Sequence, residues 1–177
     1  HDESERRQKE FTDRTQLFME ALNVDEVVGQ LLASEGFASV EEVAYVEREE
    51  VATIEGFDEE TADEIQARAR EYLEEIEAKL DEERRELGVS DDLRNIHGLT
   101  TAMLVALGKD GVKSVEDLAG CATDDLVGWT ERANGEVTRH EGALTGFDIS
   151  RAEAEEMIMA ARIEAGWITE ADLAAEE

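Results

Sequence analysis

Proline is absent from these 177 residues, cysteine occurs once, aromatic residues make up 5%, and 17 lysines and arginines face 47 aspartates and glutamates. A lone cysteine, Cys121, excludes an intramolecular disulfide and any multi-thiolate metal site, and it fits a reducing, cytoplasmic setting. No stretch reaches the roughly 20 apolar residues needed to span a bilayer, and the polar start from His1 to Lys9 is no secretory signal. The scarcity of cations leaves a formal charge of -30 at pH 7, which repels phosphate backbones and anionic lipid and favours basic partners.

What is present argues against a disordered acidic chain, because 41% of the residues are hydrophobic and they recur at three- and four-residue steps. With no proline and few aromatics, that periodicity predicts an all-α protein. Phe11, Leu17, Phe18, Ala21 and Leu22 open the first stripe, after a charged lead-in. Val24, Val27, Val28, Leu31 and Leu32 form the second, which stops near Gly36. Ser39 followed by Glu42 fits a capping box for a short helix carrying Val43 and Ala44. A further short helix around Val51 and Ile54 leads to Gly56 and Phe57. Asp58 is suited to cap a long helix marked by Ile65, Ala69, Leu73, Ile76, Leu80 and Leu87.

Beyond Gly88 the pattern starts again. Gly36, Ser39, Val40, Glu41, Glu42, Val43 and Ala44 recur at constant spacing as Gly111, Ser114, Val115, Glu116, Asp117, Leu118 and Ala119; Gly56, Phe57, Asp58 recur as Gly146, Phe147, Asp148. A module of about seventy residues is thus duplicated. In the second copy a helix is expected from about Thr100 to Leu107, with Ala102, Met103, Ala106 and Leu107 turned inward and Gly108 and Gly111 ending it. Ser114 caps the next helix and Asp124 or Thr123 the one after, with Trp129 standing where Ile54 stands in the first copy. The stretch 130–145, with Asn134, Gly135, Arg139, His140 and Gly142, is an insertion expected to form an exposed loop. A last helix carries Ala154, Met157, Ile158, Ala161 and Arg162 up to Trp167, and the acidic tail is expected to fray. Trp129, Trp167, Phe37, Phe57 and Phe147 are expected in the core.

Each copy holds the pattern apolar, any residue, glycine, apolar, capping residue, with alanine later: Ile54, Gly56, Phe57, Asp58, Ala62, and Leu144, Gly146, Phe147, Asp148, Ala152 or Ala154. Ile96, Gly98, Leu99, Thr100, Ala102 is a third instance, and Asn23, Val24 a weaker fourth. This resembles the helix-hairpin-helix motif, which presents backbone N–H groups to a nucleic-acid phosphate with the help of a second glycine and nearby lysine or arginine. Here Asp58, Thr100 and Asp148 stand at that second glycine position, and acidic residues follow. A capping carboxylate takes the N–H groups a phosphate would use, so direct DNA or RNA binding is not expected.

The sequence also resembles a family, the C-terminal acidic repeats of the bacterial transcription elongation and termination factor NusA. The resemblance rests on Leu31, Leu32, Gly36, Phe37, Ser39, Glu41, Glu42, Ala44, Ile54, Gly56, Phe57, Asp58 and Ala62, then on Ser114 to Ala119, Asp124, Asp125, Leu126, Gly146 and the run Met157 to Arg162 ahead of Trp167. It implies two five-helix, SAM-like helix-hairpin-helix modules joined by a long charged helix. The expected layout is a charged helical lead-in at 1–17, a first module at 18–73, a connecting helix and linker at 74–92, a second module at 93–168, and an acidic tail at 169–177. The start at His1 rather than Met fits a piece of a longer protein whose upstream RNA-binding domains are missing. The implied partners are RNA polymerase, through the C-terminal domain of its α subunit, the elongation factor NusG, a basic antitermination peptide and the chain's own RNA-binding domains, which the repeats can cover. The contact residues expected on that basis are the acidic helix starts Glu41, Glu42, Glu59 and Glu60 in the first copy and Asp117, Asp124, Asp125, Asp148, Glu155 and Glu156 in the second. A monomer is expected. The chain departs from the family pattern in the insertion.

Catalysis finds little support. Carboxylates are so numerous that some must lie close together, His97 and His140 have no third histidine near them, Cys121 has no base close in sequence, and Asp58 to Thr61 lacks the spacing of a calcium loop. No cofactor or metal is expected. Two other classes remain distinct alternatives: a residual nucleic-acid binder acting through hairpin amides, and a solubilising spacer.

Overall fold

Two clusters of buried side chains divide the chain, seen in a computed structural model that describes residues 2–176, into compact units His1–Glu77 and Ala78–Glu177. Expectations for His1 and Glu177 lie outside the described residues. In the first unit α1 (Asp2–Leu22), α2 (Glu26–Ser34), α3 (Val40–Tyr45), α4 (Arg48–Ala52) and the start of α5 (Glu59–Glu86) enclose Phe18, Leu22, Leu32, Val43, Val51, Ala62, Ile65 and Ala69. The periodicity thus gave these elements correctly, with corrections. Helix α1 includes the charged lead-in, which was expected to be helical. Val27 is 62% exposed, because the face of α2 that meets α1 carries Gly29, Leu32 and Ala33 instead. The buried stripe of α5 also lapses: Ile76 is exposed.

In the second unit the end of α5, a 3-10 turn (Asp91–Asn95), α6 (Thr101–Lys109), α7 (Val115–Ala119), α8 (Thr123–Val127) and α9 (Arg151–Glu164) pack around Leu93, Ile96, Leu104, Leu107, Leu118, Leu126, Leu144, Met157 and Ile158. The inward face of α6 is Leu104, Val105 and Leu107; Ala102, Met103 and Ala106 are only half-buried. Gly108 does not end that helix. It lies inside it, where a Cβ would stand 2.5 Å from Val89.

The duplicated residues occupy equivalent places. Gly36 and Gly111 have φ of 101° and 86°, Ser39 and Ser114 cap α3 and α7, and the pairs Val40/Val115, Val43/Leu118 and Ala44/Ala119 are buried. The capping box is complete only in the second copy, where Asp117 accepts from the Ser114 N–H at 3.2 Å. In the first, Glu42 reaches one residue further back, to the Ala38 N–H at 2.7 Å. Helix α8 is capped by neither Asp124 nor Thr123: it starts after Ala122, whose N–H donates to Asp125 at 2.8 Å.

The expected loop in the insertion is a β-hairpin, so the described residues are mostly helical with one two-stranded sheet. Strands β1 (Trp129–Ala133) and β2 (Glu136–His140) pair antiparallel, Trp129 opposite His140. Asn134 and Gly135 turn between them with φ of 55° and 78°, the two left-handed residues that a tight turn matching the strand twist requires. Asn-Gly flanked by alternating residues was the signal for it. Trp129 is therefore no counterpart of Ile54; Leu144, buried ahead of Gly146, is. Trp129 and Trp167 are 42% and 53% exposed rather than core anchors, while Phe37, Phe57 and Phe147 pack half-buried on the cores. The tail also forms a helix, α10 (Glu170–Glu176), because Thr169 and Asp172 cap each other's N–H groups at 3.0 and 3.1 Å.

Candidate docking surfaces

All four helix-hairpin-helix turns are present. The turn residues Gly56, Gly98 and Gly146 have φ of 90°, 94° and 98°, and Asn23 takes the same left-handed region at 53°. In three of them the apolar residue after the glycine donates back three positions: Phe57 to Ile54, Leu99 to Ile96, and Phe147 to Leu144. Four helices start from these turns, and at each start an oxygen of the chain itself takes one of the free amides. Asp25 accepts from Val28 at 2.9 Å, Asp58 from Thr61 at 2.7 Å, Thr100 from Met103 at 3.2 Å, and Ser150 from Glu153 at 3.0 Å. Asp148 is a correction: it sits at φ 55° two residues before the cap, so Ser150, not Asp148, occupies the amides of α9. An amide already bonded to an oxygen offers a phosphate little, and the charge around it is negative.

The expected contact residues separate by what they touch. Four are engaged within the chain: Glu42, Asp117 and Asp125 hold backbone N–H groups, and Asp124 pairs with Arg151. Glu59 lies 3.8 Å from Arg48. Glu41, Glu60, Asp148, Glu155 and Glu156 are exposed. The fold does not bring the ten together. It instead places Glu42 with Glu35 and Glu50 around Phe37, Tyr45 and Val46 in an open groove of about 620 Å³ in the first unit. Tyr45, 70% exposed, stands on its wall. In the second unit Glu155 and Glu156 border a groove of about 400 Å³ floored by Met159, Ala160 and Ile163 of α9 and Leu173 of α10. Glu35, Glu50 and Tyr45 were not legible as a site, since they come from three elements. Met159 and Ile163 were not read as a site either, although their four-residue spacing off the buried stripe of α9 was the signal for one.

Three carboxylates are held below the ordinary range by donors: Asp58 by the N–H and hydroxyl of Thr61, Asp81 chiefly by Arg84, and Asp117 chiefly by the Lys113 N–H. Each adds stability above its unfolded pKa of about 4, lost as pH falls through the depressed folded value. The excess of carboxylates works the other way near neutrality, through self-repulsion. Thermal melts followed by circular dichroism are expected to show Tm rising with added salt at neutral pH. Tm also rises on acidification to about pH 5 and drops below about pH 4. A Tm that falls with salt would mean that ion pairs outweigh the net charge.

Cys121 is buried, its thiol bonded to the Asp117 carbonyl at 3.3 Å and pushed up in pKa by burial. His97 is exposed, and His140 stacks on Trp129 at 4.2 Å while meeting Glu131 at 3.0 Å. Among the described residues no group of three or more His, Cys, Asp or Glu could hold a metal ion, and no helix is long and apolar enough to cross a membrane.

Paired turns, short connecting helices and self-capped starts define a helix-hairpin-helix protein of the SAM-like class. Residues 21–71 match the family described as SAM-like helix-hairpin-helix tandem. Over 132 residues, 75% of the chain, the sequence is 40% identical to the transcription termination/antitermination protein NusA of Rickettsia prowazekii (strain Madrid E). It is 39% identical over 132 residues to the protein of the same name from Rickettsia conorii (strain ATCC VR-613 / Malish 7). The chain spans 26% of the length of each of these relatives. The likeness is to the C-terminal repeat domains of NusA.

Proposed function

We propose that this chain is a non-catalytic docking region of a transcription termination and antitermination factor, one that recruits basic protein surfaces. The observation that carries this reading is the pairing of self-capped hairpins, each with a helix-start amide held by Asp25, Asp58, Thr100 or Ser150, with grooves rimmed by glutamates. An acidic surface attracts and orients a basic partner and repels nucleic acid. The partners proposed are RNA polymerase, through the C-terminal domain of its α subunit, NusG, a basic antitermination peptide, and RNA-binding domains of the same protein, which the repeats would shield until a partner competes.

Isotope-labelled chain titrated with each of these is expected to show amide shifts around Tyr45 and Glu50 or around Glu155 and Met159, weakening as salt is raised. Spectra unmoved by all of them would remove the docking reading. Salt-sensitive shifts at Gly56, Gly98 or Gly146 on adding single- or double-stranded DNA or RNA would favour the nucleic-acid alternative instead.

A further inference from the structure

Helix α9 is apolar on two faces. Ala154, Met157, Ile158 and Ala161 face the core, as one stripe at helical spacing should. Met159, Ala160 and Ile163 lie off that stripe, on a second face bordered by Glu155 and Glu156. What lies over it is α10, and the contact is poorly matched. Leu173 is the one residue that α10 contributes to the groove, and the helix carries Glu170 and Asp172 but no lysine or arginine that could meet the acidic rim. A helix without cations gives the glutamates of the rim no opposite charge, and a seven-residue helix that sets one leucine in the groove is of the kind that opens locally without unfolding the rest.

We infer that the groove on α9 is the docking site for an amphipathic, lysine- or arginine-flanked helix of a partner protein, and that α10 is a placeholder which such a helix displaces. The inference rests on the docking reading above and assigns it a site. A basic helix improves on α10 in both respects. It sets several apolar side chains along Met159 and Ile163 where α10 sets Leu173 alone, and its cations meet Glu155 and Glu156. Because α10 is tethered, it competes at every concentration of partner, so the apparent affinity falls with the fraction of time the groove is covered.

The test uses the 177-residue chain, a variant ending after Ile168, and Leu173→Glu, which keeps the tail but removes its apolar contact. The probe is a fluorescent peptide of about fifteen residues, made of alanine, leucine and lysine, with leucines at i, i+4 and i+8. A scrambled peptide of equal charge and composition is the control. At physiological ionic strength, fluorescence anisotropy is expected to show both variants binding the patterned peptide about tenfold more tightly than the parent, the change for a tail that covers the groove about nine-tenths of the time. Met159→Glu in the truncated chain is expected to abolish the gain. Equal binding of parent and variants, equal binding of the scrambled peptide, or indifference to Met159→Glu would each overturn the inference. Shifts in the partner titrations above, together with such a result, would leave the docking reading standing and remove this groove from it.

Discussion

Arg84→Ala is expected to destabilise the second unit by about 3 kcal/mol, the low end for removing one partner of a buried ion pair. The guanidinium side chain is only 2% exposed and is fully used: it donates to the Val89 carbonyl at 2.7 Å, to Asp81 at 2.9 Å and to Asp91 at 2.8 Å. Alanine leaves the carbonyl without that donor and leaves Asp81 with the remaining cations Arg85 and Arg94. The low end applies because Asp91 is 81% exposed and regains water on release. For a unit of this size the change corresponds to a fall in Tm of roughly 15 °C. Trp129 and Trp167, the two tryptophans of the chain, both lie in this unit, so their fluorescence in a urea titration follows it specifically. Arg84→Lys keeps the charge but not the planar fork, and should recover part of the loss. A loss below about 1 kcal/mol for Arg84→Ala would mark the cluster as an ordinary surface pair.

Gly128→Ala is expected to dislodge the β-hairpin at its base, at a cost of about 3 kcal/mol, from strain at a left-handed residue plus overpacking. Gly128 has φ 82°, and a Cβ there would stand 2.3 Å from the His140 carbonyl oxygen, which is backbone and cannot swing aside. The neighbourhood is tied to the core: Ala143 and Leu144 donate to the Asp125 and Leu126 carbonyls at 2.8 Å, and Arg139 donates to Val127 at 2.6 Å. Gly135→Ala is the control. Its φ is 78°, but nothing lies within 4 Å of the added carbon, so the expected cost is about 1 kcal/mol, that of the left-handed conformation alone. Loss of the Trp129–His140 stack in Gly128→Ala, read from ring-current shifts, with retention in Gly135→Ala, is the expected pattern. Equal effects of the two substitutions would overturn it.

Turns and caps were readable because they are local. Gly56, Gly98 and Gly146 must supply a left-handed φ at a fixed place between two apolar residues, and Ser39, Asp58 and Ser114 must place an oxygen three residues before an amide. Asn134-Gly135 was equally local, and its pairing of flanking strands follows from the same chemistry. Trp129 is not core because all five residues of β1 are exposed on both faces, and its ring stacks on His140 across the hairpin instead. Val27 failed because the spacing left open which face of α2 meets α1, and it is the face of Gly29, Leu32 and Ala33; Ile76 failed because spacing does not say where along a helix its neighbours end.

By itself, then, the order of residues determined the helical class, the duplicated turns, the self-capped helix starts and the net charge, since each depends on neighbours within a few positions or on a simple sum. Tertiary structure alone decided which carboxylates rim a groove. It also buried Arg84 against Val89 and laid α10 over the second face of α9. These depend on how separate elements pack against one another, which no local pattern of residues states. The negative charge that first suggested basic partners covers the chain broadly; packing gathers it beside apolar floors at Tyr45 and at Met159.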